Sequence, residues 1–136
     1  MEFKDYNNKQ SSENNNQIAI DFDGVIHKNS KGFFDGTVYD KPMEGVEDAL
    51  KQLSKKYKII IFTCKVKPDR PPINKKSGNQ LIEEWLFKYN LLQYIHEITC
   101  EKPRAVIYID DKGYRFNNWN STLKFLYLRD NLLRKI

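Results

Sequence analysis

The chain has 136 residues, 40% of them hydrophobic and 13% aromatic, and a net charge of +5. That length supports one compact domain with its own core and excludes two ordinary ones, and the aromatic content argues against a disordered chain. The longest purely apolar run, Ile59-Ile60-Ile61-Phe62, is far short of the ~20 residues of a membrane span, and the first seventeen residues hold no apolar stretch to act as a signal peptide. Two cysteines, Cys64 and Cys100, make no disulfide framework. The expectation is a soluble cytoplasmic protein with reduced thiols.

Residues 1–16 are dominated by Asn, Gln, Ser and Lys with almost nothing to bury, which reads as a flexible polar tail before a single domain over 17–136. Ile18–Phe22 then has the apolar density of a buried strand. Phe33-Phe34-Asp35-Gly36-Thr37-Val38 reads as a tight hairpin flap, with Asp-Gly supplying the positive φ angles of a type I′ turn. In Met43–Lys56, Val46, Ala49, Leu50 and Leu53 share one helical face. Lys58–Phe62 is a second strand, nearly continuous in Ile and Phe, as a strand buried on both faces of a parallel sheet should be. Gly78–Tyr89 repeats the helical pattern through Leu81, Ile82, Trp85, Leu86 and Tyr89, with Asn90 as its stop, and Trp85 reads as core.

Tyr94–Thr99 and Ala105–Ile109 are the third and fourth strands. Ser121–Ile136 reads as a helix capped by Asn120 or Ser121, although Leu123-Phe125-Tyr127 also alternates like a strand. Strand and helix alternate, so the architecture expected is an open α/β fold around a central parallel sheet.

In such a sheet, ligands bind at the carboxyl ends of the strands. The first strand ends in Asp21-Phe22-Asp23-Gly24, the second is followed by Thr63, and the fourth by Asp110-Asp111, with Lys102 just before that fourth strand. Four carboxylates gathered in one pocket repel, and a hard divalent cation relieves that repulsion. Mg²⁺ suits the oxygen donors, and Lys102 leaves room for a phosphoryl anion.

The order Asp-x-Asp-Gly, Thr after an apolar strand, Lys, and Asp-Asp after another strand resembles the haloacid dehalogenase (HAD) superfamily over roughly residues 17–120. The resemblance implies a three-layer Rossmann-like fold and a Mg²⁺-dependent phosphomonoesterase acting through an aspartyl-phosphate. Asp21 would be the nucleophile. Asp23 would protonate the leaving oxygen and then activate water. Thr63 would hydrogen-bond the phosphoryl group, and Lys102 would neutralise its charge. Asp21, the Asp23 main-chain carbonyl, Asp110 and Asp111 would hold the metal. Neither the gap from Asp23 to Thr63 nor that from Thr63 to Lys102 has room for a cap domain, so the chain resembles the capless type.

Other readings compete. A non-catalytic phosphate- or nucleic-acid-binding module on the same fold would keep these residues without turnover. A response-regulator receiver is also α/β and acidic, but its phosphate acceptor stands on a later strand than its acidic pair, which is not the order here. Cys64 to Arg70 fits the C-x5-R spacing of cysteine-dependent phosphatases, yet Pro68, Pro71 and Pro72 remove the amide donors that such a loop needs. His27 and His96 have no ligand pattern and read as structural or surface residues. The loop Lys65–Lys76 carries five cations against Asp69. It reads either as a solvated, proline-stiffened loop or as a grip for an anionic substrate, which would be a nucleotide or a phosphorylated nucleic-acid end. The aromatic interleaving that would make strand binding specific is missing from that loop.

Overall fold

In the computed structural model the described residues are 16–101, 103–110 and 114–134. The tail expected over 1–16 lies outside them except for Asn16. Five strands, β1 (Gln17–Asp21), β2 (Lys58–Phe62), β3 (Ile95–Thr99), β4 (Ile107–Asp110) and β5 (Tyr114–Arg115), form one sheet in the order β3-β2-β1-β4-β5. Every pairing is parallel. This order matches five strands of the Rossmann arrangement and differs from the 2-1-3-4-5 order of receivers. The strand order reverses between β1 and β4, which makes their carboxyl ends the crevice where open sheets of this kind bind ligands.

Three helices flank the sheet: α1 (Val46–Ser54), α2 (Gly78–Lys88) and α3 (Trp119–Arg134). In α1, Val46, Ala49, Leu50 and Leu53 are buried as one stripe. Burying Leu50 and Leu53 contributes about 1.5–3 kcal/mol each. The helix is shorter than its apolar pattern because Gly45, in the left-handed region at φ 82°, stands at its N-cap. At the start of α2, Ser77 and Gln80 form a reciprocal capping box. Asn90 ends that helix at φ 60°, as expected. In α3 the cap falls earlier than expected: the Ser121 N–H donates to Asn118 Oδ1 at 2.8 Å. Burial of Trp119, Thr122 and Leu126 settles the ambiguity of this segment in favour of a helix.

All three helices feed one core. Ile18 and Ile20 of β1, Ile59 and Ile61 of β2 and Ile109 of β4 pack with the α1 stripe, with Ile82, Trp85 and Leu86 of α2, and with Trp119 and Leu126 of α3. Helices α1 and α3 lie side by side: a Cβ at Gly45 would sit 3.6 Å from the Trp119 Cβ, and at the other end Tyr57 donates to Asp130 Oδ2 at 2.8 Å. Burial and then the Asp130 bond push the Tyr57 hydroxyl up to about 12. All three helices flank the five-stranded parallel sheet, as the α/β expectation required.

The flap differs from the hairpin expected. Residues 28–41 leave and rejoin the domain as a pair, with the Lys28 N–H donating to Lys41 O at 3.0 Å and His27 bridging Pro42. Between those ends the chain runs through turns without strands. The turn at the tip is closed by the Gly36 N–H on Phe33 O, and positive φ falls on Phe34 and Gly36 rather than on an Asp35-Gly36 pair. Among the described residues no helix is long and apolar enough to cross a membrane.

Candidate active site

The register Ile20↔Ile109 makes Asp21 and Asp110 the next residues on adjacent parallel strands. Neighbouring strands lie ~4.8 Å apart, so the two carboxylates leave the sheet side by side at the point where strand order reverses. Asp110 is 8% exposed. Beyond β1 the chain coils tightly: the N–H groups of Val25, Ile26 and His27 all converge on Phe22 O, and Gly24 N–H donates to His27 O at 2.8 Å. Gly24 takes φ 81° to make that coil, a conformation glycine adopts without steric cost. The coil swings Asp23 over the strand end. Asp21, Asp23 and Asp110 thereby line one pocket of about 290 Å³, together with Arg115 and Phe116.

Asp21 Oδ1 accepts from its neighbour's amide, Phe22 N–H, at 2.7 Å, which fixes one carboxylate oxygen beside the strand end. Asp23 is held from two directions. His27 Nδ1 lies 2.8 Å from Asp23 Oδ1, and Lys65 Nζ lies 3.3 Å from Asp23 Oδ2. His27 is fully buried, stacked on Phe22 and met edge-on by Trp85 and Tyr39. It is structural, as expected, but it also orients a site residue. The i, i+4 spacing across a Gly turn was the signal for that contact.

Lys65, the first residue of the basic loop, is only 9% exposed. Thr63 explains how it gets there. The Thr63 N–H donates to Thr99 O at 2.9 Å, tying the end of β2 to β3. Its Oγ1 then accepts from the Lys65 N–H at 3.3 Å and caps a 3₁₀ turn, Cys64–Val66, that turns the Lys65 side chain inward. Gly78 completes the fit. A Cβ there would lie 1.9 Å from Lys65 O, so only glycine lets α2 start against this turn.

Of the residues expected in the site, the structure brings Asp21, Asp23 and Asp110 into one pocket. Thr63 is buried at the adjacent strand end with its hydroxyl on Lys65 N–H, outside the pocket lining. Lys102 and Asp111 lie outside the described residues. His27, Lys65 and Arg115 are the additions. Among the described residues no cluster of three His, Cys, Asp or Glu side chains is close enough to hold a metal ion. The Asp23 carboxylate is turned to His27 and Lys65, and the hard-oxygen donors side by side at the strand ends are Asp21 and Asp110. One or two carboxylates, completed by water and substrate oxygens, are what Mg²⁺ takes in phosphate-handling sites. Cys64 and Cys100 are both free thiols. Arg70 reaches over the Phe33 ring, with 5.9 Å between guanidinium and centroid. The chain matches no family model, no curated protein and no solved structure.

Proposed function

We propose that the protein is a Mg²⁺-dependent phosphomonoesterase of the haloacid dehalogenase type, capless and acting through an aspartyl-phosphate on Asp21. The observation that carries this reading is the pairing of Asp21 and Asp110 at the strand-order reversal, with Asp23 facing the same pocket. An Asp21 carboxylate oxygen attacks phosphorus while the bond to the leaving oxygen breaks and Asp23 gives that oxygen its proton. In the second half Asp23 takes a proton from water as the water oxygen attacks the phosphorus of the aspartyl-phosphate, releasing phosphate and restoring Asp21. Asp21, the Asp23 main-chain carbonyl, Asp110 and Asp111, next to it in sequence, would hold Mg²⁺, which would neutralise charge on the phosphoryl oxygens.

His27 and Lys65 act as positioning residues. They hold the two oxygens of the Asp23 carboxylate from different sides. Lys102 retains the charge-neutralising role that the resemblance implies, and Thr63 sets the turn that delivers Lys65. The test is phosphate release from a simple sugar phosphate by the parent and by Asp21→Asn, with Mg²⁺ and with chelator. Turnover that needs Mg²⁺ and disappears in Asp21→Asn is expected. Turnover that survives both changes would overturn the aspartate mechanism, and phosphate-ester binding with no turnover would favour the binding module.

A further inference from the structure

On the Lys65 side of Asp23 a second cavity opens, about 210 Å³ in volume, between the flap and the Lys65–Lys76 loop. It is smaller than the ~300–1,000 Å³ of sites for drug-sized ligands, so it holds part of a larger molecule rather than the whole of one. One wall is the Phe33 ring, whose residue is 62% exposed; the other walls include Ile73 and the cations Lys65, Arg70 and Lys76. Lys65 Nζ stands 5.8 Å and the Arg70 guanidinium 5.9 Å from the Phe33 centroid. The aromatic surface absent from the basic loop is thus supplied by the flap, about 30 residues earlier in the chain.

The charges are not equivalent. Lys65 pairs with Asp23 and Lys76 with Glu84 at 2.8 Å. Arg70 forms no ion pair among the described residues. Asp35 is the one acid in the lining, and its carboxylate is already engaged by the Thr37 hydroxyl at 2.6 Å and the Thr37 N–H at 3.0 Å. The cleft therefore offers a planar apolar wall beside a guanidinium with no counter-ion among the described residues. A guanidinium of that kind binds a phosphate through two parallel hydrogen bonds, and an exposed ring stacks on a nucleobase.

We propose that this cleft is the leaving-group subsite and takes an aromatic base together with a second phosphate, the base stacking on Phe33 and the phosphate pairing with Arg70. The proposal rests on the phosphohydrolase reading, because Lys65 joins the cleft to Asp23, the residue that protonates the leaving oxygen. The chemistry is shared by a nucleoside bisphosphate and by the terminal nucleotide of a nucleic-acid strand.

Calorimetric titration in chelator, where turnover is stopped, tests it with four probes: ribose 5-phosphate, adenosine 5′-monophosphate, adenosine 3′,5′-bisphosphate and a 5′-phosphorylated trinucleotide. The bisphosphate is expected to bind about tenfold more tightly than the monophosphate, and Arg70→Ala to remove that advantage. Phe33→Ala is expected to weaken every base-bearing probe by about fivefold or more and to leave ribose 5-phosphate unchanged. Equal affinity of the parent for all four probes, or an affinity ladder unaltered in both variants, overturns the proposal. A trinucleotide that binds more tightly than the bisphosphate supports it and assigns a strand end; one that binds no more tightly supports it and assigns a free nucleotide. Both variants are at exposed positions, and unchanged thermal midpoints confirm that they fold. Release of phosphate from ribose 5-phosphate with Mg²⁺ reads the phosphohydrolase proposal by itself, since that ester needs no ring subsite. An intact ladder without hydrolysis leaves the cleft standing and removes the enzyme.

Discussion

His27 Nδ1 lies 2.8 Å from Asp23 Oδ1, while the opposite ring nitrogen, Nε2, accepts the Asp40 backbone N–H at 3.0 Å. An acceptor nitrogen carries no proton, so the proton sits on Nδ1 and is donated to Asp23. One buried ring thus couples the base of the flap, through Asp40, to the carboxylate proposed as acid and base. His27→Phe keeps the ring packing against Phe22 and Trp85 but removes both hydrogen bonds. It is expected to cost about 1–3 kcal/mol, since the Asp40 N–H loses its partner, and to lower turnover as well. Urea midpoints and phosphate release check the two effects separately. A variant as stable and as active as the parent would remove His27 from the positioning role.

Lys65→Met separates positioning from folding. The thioether fills the space of the lysine stem, and the Asp23 side chain, 28% exposed, keeps water as a partner. Stability is expected to change by less than about 1 kcal/mol, whereas turnover falls about 10²-fold as Asp23 loses its alignment. Steady-state kinetics beside urea unfolding reads both. Full activity in Lys65→Met would place the ion pair outside the mechanism.

Gly78→Ala is expected to be the most damaging single methyl in the site. Its Cβ would fall 1.9 Å from Lys65 O, a backbone atom that cannot rotate away. The cost expected is about 1–3 kcal/mol, together with displacement of Lys65 and lost turnover. Gly24→Ala is the informative control, because its added Cβ meets nothing within 4 Å and the strain there is that of φ 81° alone. That conformational cost is about 1–2 kcal/mol. Equal stability of Gly78→Ala and the parent in urea would contradict the packing described.

Acid should destabilise the domain through Asp40 and Asp130. The Ser30 hydroxyl, then the backbone N–H groups of Ser30 and Lys41, hold the Asp40 carboxyl well below 3.8. For Asp130, burial pushes upward, but bonds from Lys56 and Tyr57 outweigh it and hold the carboxyl below 3.8. Folded values below the unfolded one mean that the unfolded chain takes up these protons first. The stabilisation is therefore present above pH 3.8 and is lost as pH falls through the folded values. Urea midpoints measured from about pH 6 down to about pH 2.5 should decline, and Asp130→Asn should flatten part of that decline. A parent curve already flat across this range would deny both shifts.

β2 and α2 were legible in the sequence almost to the residue, because Ile-rich runs and a capped amphipathic stripe are local patterns. β5 was not, since a two-residue strand, Tyr114–Arg115, carries no period of its own and is defined only by its pairing with β4. The flap was misread for a related reason. Asp35-Gly36 has the composition of a hairpin turn, but with Phe33 and Phe34 turned to solvent there is no alternating buried face to hold two strands in register.

For the candidate site, the sequence by itself determined that carboxylates stand at strand ends, since each apolar run stops where its charge begins. Only the tertiary structure decided which groups surround them. Lys65 against Asp23, Gly78 beneath Lys65, and Phe33 against Arg70 are contacts closed by chain folding between distant segments, and no sequence period encodes them. Desolvation and packing, set by the whole core, turned a lysine from a solvated basic loop into the partner of a buried-edge aspartate.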